Sequence, residues 1–197
     1  MTVALYIDDR GPYPALLGPE NCYGVGRDAR LYEGPGPVVC HPPCGPWGKL
    51  RHQYQGAEHT CAPRAVEQVR ALGGVLEHPA DSRLWPACGL PRPGEPPDRF
   101  GGYSLALCQC DFGHVARKRT WLYLVRVPPA VLAFPPPREP THWASGSRTA
   151  PRGPVPPGIK ICSAEQRRRT PPDFARWLIA LAGSAANDNG RPVTCAE

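Results

Sequence analysis

The stretch Val38-Val39-Cys40-His41-Pro42-Pro43-Cys44-Gly45-Pro46-Trp47 decides how the rest of the chain is read. Residues 37–40 are a short apolar run, β-branched at the centre and bounded by Gly and Pro, the pattern of a buried parallel strand. A Pro-Pro turn follows and delivers Cys44 at the carboxyl end of that strand, where open α/β sheets bind ligands. Proline fixes its own φ and restricts the residue before it, so the thiol is held at a defined place. Gly45 lets a ligand approach the backbone closely. The plain alternative is a proline-rich turn with an incidental cysteine.

Working outward, residues 2–7 read as a first strand that ends in Asp8-Asp9-Arg10-Gly11-Pro12-Tyr13. Residues 22–25 read as a short second strand, followed by Arg27-Asp28-Ala29-Arg30. Residues 49–60 are polar and contain histidines, which suits a loop over the site. The spacing of Ala62, Ala65, Val66, Val69 and Leu72 predicts an amphipathic helix over 61–72, ended by Gly73-Gly74. Val75-Leu76 opens another strand that runs into Glu77-His78-Pro79. Strand, helix, strand in this order implies a right-handed parallel crossover, with Glu77 at the same sheet edge as Cys44. Its alternative role is a strand-end residue capping a turn.

Residues 82–90 suit a short helix and 91–99 a proline-rich loop. Residues 102–110 and 121–127 read as two strands joined by a hairpin-like connection with Arg117-Lys118-Arg119 at its tip. The last periodic element is a helix over 171–182, with Thr170 as cap, Pro171 opening it, and Phe174, Trp177, Leu178 and Leu181 as its buried stripe. The fold expected is a single α/β domain, Rossmann-like, with a mostly parallel sheet and flanking helices. Its expected divisions are a catalytic core over 1–127, a Pro/Gly-rich insertion over 128–160, a closing segment and helix over 161–183, and a disordered tail over 184–197. The core is expected to hold Val3, Leu5, Val38, Val39, Val66, Val69, Leu76, Leu105, Leu122, Leu124, Trp177 and Leu178.

Composition bounds the function. The 197 residues suffice for one domain with a proper core. A net charge of +6 suits an anionic partner, and the clusters Arg117-Lys118-Arg119 and Arg167-Arg168-Arg169 say more than the total. No signal peptide or membrane-length apolar run is apparent, so a cytoplasmic protein is expected. The 9 cysteines are then reduced thiols, because an odd count without a secretion signal is not a disulfide framework. The 28 prolines imply long, stiff loops.

Four motifs in order carry a resemblance to a known family. Pro42-Pro43-Cys44, Glu77-His78-Pro79 after a strand, Phe112-Gly113 ahead of Arg117-Lys118-Arg119, and Cys162-Ser163-Ala164-Glu165-Gln166-Arg167-Arg168 together resemble the DNA cytosine methyltransferases that modify carbon 5. The likeness covers roughly 37–127 and 162–183. It implies Cys44 as nucleophile, Glu77 as the acid near ring nitrogen 3, and Arg117 and Arg119 as the arginine pair, Arg119 facing the base. It also implies S-adenosylmethionine as cofactor, met by Asp8, Tyr13, Asp28 at the ribose, and Pro42, with DNA as partner. A monomer of phage-like size is expected, with no membrane partner and no metal.

The residue types have an independent chemical reason. Carbon 5 of cytosine is a weak nucleophile; a thiolate adding at carbon 6 makes the ring an enamine, and a proton at nitrogen 3 stabilises the adduct. A nearby cation lowers the thiol pKa, and the base must leave the stack to enter such a pocket. The sequence departs from the family at Ile7-Asp8-Asp9-Arg10-Gly11-Pro12-Tyr13, where one glycine and a proline replace a glycine-rich turn, and in a cofactor half too short for the usual strands and helices. Two other classes of protein stay open. One is a non-catalytic nucleic-acid-binding module, with the arginines on phosphates. The other is a zinc protein using Cys40-His41, Cys44, His59-x-Cys61 and Cys108-x-Cys110, although none has the tight Cys-x-x-Cys spacing.

Overall fold

In a computed structural model, which describes residues 1–143 and 157–185, one six-stranded sheet organises the chain. Strands β1 (Val3–Leu5), β2 (Cys22–Tyr23), β3 (Val38–Cys40) and β4 (Gly74–Pro79) run parallel. β5 (Tyr103–Cys108) and β6 (Arg119–Val125) form an antiparallel pair, and β6 inserts against β4 in the order β2-β1-β3-β4-β6-β5. The architecture is therefore mixed α/β with a mostly parallel sheet and flanking helices, as the apolar runs imply. The chain leaves β1 for β2 on one side and returns to β3 on the other. That reversal is a topological switch point, and ligands of open α/β sheets bind outside the strand ends there.

Helices cover both faces. α2 (Cys61–Leu72) has the bounds its periodicity predicts and packs Ala62, Ala65, Val66 and Val69 against Val3, Leu5, Val38 and Leu76. Its successor strand begins at once because Gly74 sits at φ 116°, where a Cβ would collide with the Val38 carbonyl. α5 (Pro172–Ala185) covers the other face, with Phe174, Leu178 and Leu181 against Val39, Val75, Leu122 and Leu124. It passes through Gly183 instead of stopping there, since burial of Ala182 and Ala185 outweighs the intrinsic cost of one glycine. Of the expected disordered tail, residues 184 and 185 belong to this helix, and residues 186–197 lie outside the described residues. Of the expected core, Leu105 and Trp177 are only partly buried, the first because β5 is an edge strand.

Several short elements carry no periodic signal. α1 (Tyr13–Leu17) follows the first strand, α3 (Leu84–Cys88) follows β4, and α4 (Ala164–Arg168) is closed by a capping box of Ser163 and Gln166. The insertion is tied down where it is described. β7 (His142–Trp143) pairs with β8 (Lys160–Ile161), and the His142 and Thr141 N–H groups donate to the Val115 carbonyl. The first strand is shorter than its apolar run, and the reason is local. Tyr6 takes a left-handed φ of 59°, its hydroxyl donating to Gln68 Oε1 at 2.8 Å. This breaks the two-residue alternation: Tyr6 packs on the α2 face with Leu5, and Ile7 turns to the α5 face. Among the described residues no helix is long and apolar enough to cross a membrane.

Candidate active site

Glu77 is the most heavily partnered side chain at the carboxyl edge. β4 lies between β3 and β6, so neighbours reach it from both sides. His41, just past β3, places Nδ1 at 3.1 Å from Glu77 Oε2. From the other side Gln109 Nε2 donates to Oε1 at 2.8 Å and the Thr120 hydroxyl donates to the same oxygen at 3.3 Å. Burial alone would push this carboxyl up. The His41 hydrogen bond and then the charge of Lys118 outweigh it and hold Glu77 down at about 2. Glu77 is ionised and carries no proton of its own.

The His41 ring is fixed at both nitrogens. A carboxylate only accepts, so Nδ1 carries the proton toward Glu77, and Nε2 shares a hydrogen bond of 2.5 Å with the Tyr13 hydroxyl, accepting from it when unprotonated and donating to its oxygen when protonated. His78, next to Glu77 on β4 and with its ring near Trp85, is fully buried, with neither ring nitrogen at hydrogen-bond geometry to a partner. Desolvation pushes its pKa down to about 4, against the opposing charge of Glu77 and the nearby Pro43 carbonyl.

Cys44 is exposed at the end of the Pro-Pro turn, as the sequence implies. Its carbonyl accepts the N–H of Trp47 and of Gly48, which folds 44–48 into a tight turn. The Tyr54 ring lies over Gly45 where any Cβ would collide, so the loop after Cys44 packs back on the turn. The crowded mouth desolvates the sulfur and raises its pKa; Glu77 adds to this, while Lys118 and Arg168 oppose it. The resting thiol is therefore protonated at neutral pH.

The cation facing these groups is Lys118, not Arg117 or Arg119. The sequence reading begins the last strand at Trp121 and leaves all three basic residues on a loop, but β6 already starts at Arg119. Strand alternation then applies. Thr120, Leu122 and Leu124 share the Glu77 face and extend to Lys118, while Arg119 falls on the face of Trp121, Tyr123 and Val125. Arg117 is exposed and pairs with Glu139 at 3.0 Å. Gln109, which sequence reasoning missed, is wholly buried between Cys108 and Cys110. The only signal for it was a glutamine where β5 was expected to continue. The strand ends at Cys108 and a 3-10 turn carries Gln109 inward.

Beside this cluster a cleft of about 650 Å³ opens at the switch point. Asp8, Arg10, Gly11 and Tyr13 of the β1–α1 turn form one wall, His41 the floor, and Glu165, Arg168 and Arg169 of the α4 segment the other wall. Asp8 and Tyr13 thus both line this cleft. Pro42 is buried and does not line the cleft, and Asp28 is elsewhere, capping a 3-10 turn and pairing with Arg30 at 2.7 Å. A volume of this size takes a nucleoside-sized ligand. Its walls carry both signs of charge, Asp8 and Glu165 beside Arg10, Arg168 and Arg169, which suits a ligand that bears both an anionic and a cationic group. The residues offered as zinc ligands are not gathered: among the described residues no three His, Cys, Asp or Glu side chains form a metal-holding group. Comparison with family models, curated proteins and solved structures finds no match.

Proposed function

We propose that the chain is a DNA cytosine carbon-5 methyltransferase-like enzyme. The observation that carries this reading is the pairing of an exposed Cys44 with the caged Glu77 at neighbouring strand ends, both in the field of Lys118 and next to the switch-point cleft. One flat base presented between them has the thiol at one edge and a carboxyl group at another. The Cys44 thiolate adds to carbon 6, ring nitrogen 3 takes a proton, and carbon 5 becomes nucleophilic. Asp8, Arg10 and Tyr13 would hold S-adenosylmethionine in the cleft, where it would supply the methyl group. Water then takes the carbon-5 proton as the carbon 6–sulfur bond breaks, which releases the thiolate and restores the ring. Lys118 favours the thiolate and balances the Glu77 charge.

The test is covalent capture. A duplex containing 5-fluorocytosine, incubated with the protein and S-adenosylmethionine, is expected to yield an adduct that survives denaturation and maps to Cys44. Saturable DNA binding with no adduct selects the non-catalytic nucleic-acid-binding module instead.

A further inference from the structure

The adduct needs a proton at ring nitrogen 3, yet Glu77 holds none. Its two oxygens already accept from Gln109, Thr120 and His41, and of these three donors only His41 can release a proton and remain stable. We propose that His41 is a positioning residue and proton reservoir: as imidazolium it passes the Nδ1 proton through Glu77 to the base, and it recovers that proton when the adduct collapses. The inference rests on the base-modifying reading given above.

The bookkeeping closes without another reagent. The Nδ1–H bond of His41 breaks, an O–H bond forms transiently at Glu77 Oε2, and that proton ends on ring nitrogen 3, leaving His41 neutral. The reverse transfer accompanies departure of the thiolate. Tyr13 makes the two charge states of the ring possible. Its hydroxyl oxygen accepts from Nε2–H both in the imidazolium and in the neutral ring that remains once Nδ1 has given up its proton, and the same hydroxyl can donate to Nε2 of the Nδ1–H tautomer, because a phenol does both. Its own hydrogen then turns toward the cleft that Tyr13 and His41 line together. A residue without this amphoteric hydroxyl would strand one state unpaired in a buried place.

The surroundings of His41 are charged on several sides. Tyr13 faces it from α1, and Glu77 and His78 from β4; Lys118 acts through Glu77. Across the cleft stand Asp8 and Arg10 of the β1–α1 turn and Glu165, Arg168 and Arg169 of the α4 segment.

The experiment is the pH profile of 5-fluorocytosine adduct formation at single turnover, in the wild type and in His41→Asn. Asparagine keeps an N–H donor for Glu77 but cannot titrate. The wild-type rate is expected to rise with pH as Cys44 ionises, then flatten once His41 gives up its proton. In His41→Asn the rate is expected to be about a hundredfold lower and to climb without that break, since only Cys44 titrates. Free imidazoles added to His41→Ala should restore the rate in order of their acidity, which a packing role would not produce. Parallel profiles in wild type and His41→Asn, or rescue blind to acidity, overturn the inference and leave the enzyme reading standing. Absence of adduct in the wild type at every pH overturns the enzyme reading and this inference together.

Discussion

The two halves of the site are built on different principles. At the carboxyl ends of β3, β4 and β6, polar groups are buried and held by partners far away in sequence: Glu77 by His41, Gln109 and Thr120. In the cleft at the end of β1, charges are exposed and paired with near neighbours, Asp8 with Arg10 and Glu165 with Arg169. Buried, long-range bonds lose their whole desolvation balance when one partner is removed, while exposed local ion pairs contribute about 0–1 kcal/mol. The half around Glu77 is therefore the precise one and the cleft the forgiving one.

That contrast breaks most sharply at Cys44. Cys44→Ser should abolish the 5-fluorocytosine adduct while the thermal unfolding midpoint stays put, because an exposed hydroxyl replaces an exposed thiol. A persistent adduct would remove Cys44 from the mechanism. Glu77→Gln should come next, lowering the single-turnover rate by roughly a hundredfold to ten-thousandfold with DNA affinity kept, as expected for loss of a group that moves a proton in the transition state.

Acid stability probes the same half in another way. The unfolded chain protonates His78 near its ordinary 6.5, but the fold resists until about 4. A depressed folded pKa means that stability is present above 6.5 and is lost as pH falls toward 4, on the order of 3 kcal/mol by linkage. Glu77, depressed from 4.5 to about 2, extends the loss below that window. Denaturant midpoints measured from pH 7 to 3 should show the upper limb vanish in His78→Leu; an unchanged limb assigns it to other groups.

The cations give a smaller effect and a cleaner contrast. Lys118→Ala should slow alkylation of Cys44 by iodoacetamide roughly threefold to tenfold at neutral pH, since its charge favours the thiolate. Arg119→Ala should leave that rate within about twofold, its strand position facing away. Equal effects would mean that both side chains reach the sulfur. The smallest change belongs to the cleft: Asp8→Asn should reduce the thermal stabilisation conferred by S-adenosylmethionine without altering the unliganded midpoint by more than about 1 kcal/mol.

Local sequence chemistry determined most of the scaffold. The period of Ala62, Ala65, Val66 and Val69 sets α2, and β-branched runs bounded by Gly and Pro set β3 and β4. Cys44 and Glu77 follow from those strands, because a residue just past a parallel strand must lie at the carboxyl edge. The tertiary structure alone decided the rest. Starting β6 two residues earlier moved the site cation from Arg119 to Lys118, since alternation turns a shift in where a strand begins into a change of face. A left-handed Tyr6 reset the face of Ile7, and a 3-10 turn sent Gln109 inward. The bridge from Tyr13 through His41 to Glu77 joins residues 28 and 36 positions apart. No periodicity records such contacts, because each exists only after the sheet has brought three separate segments to one edge.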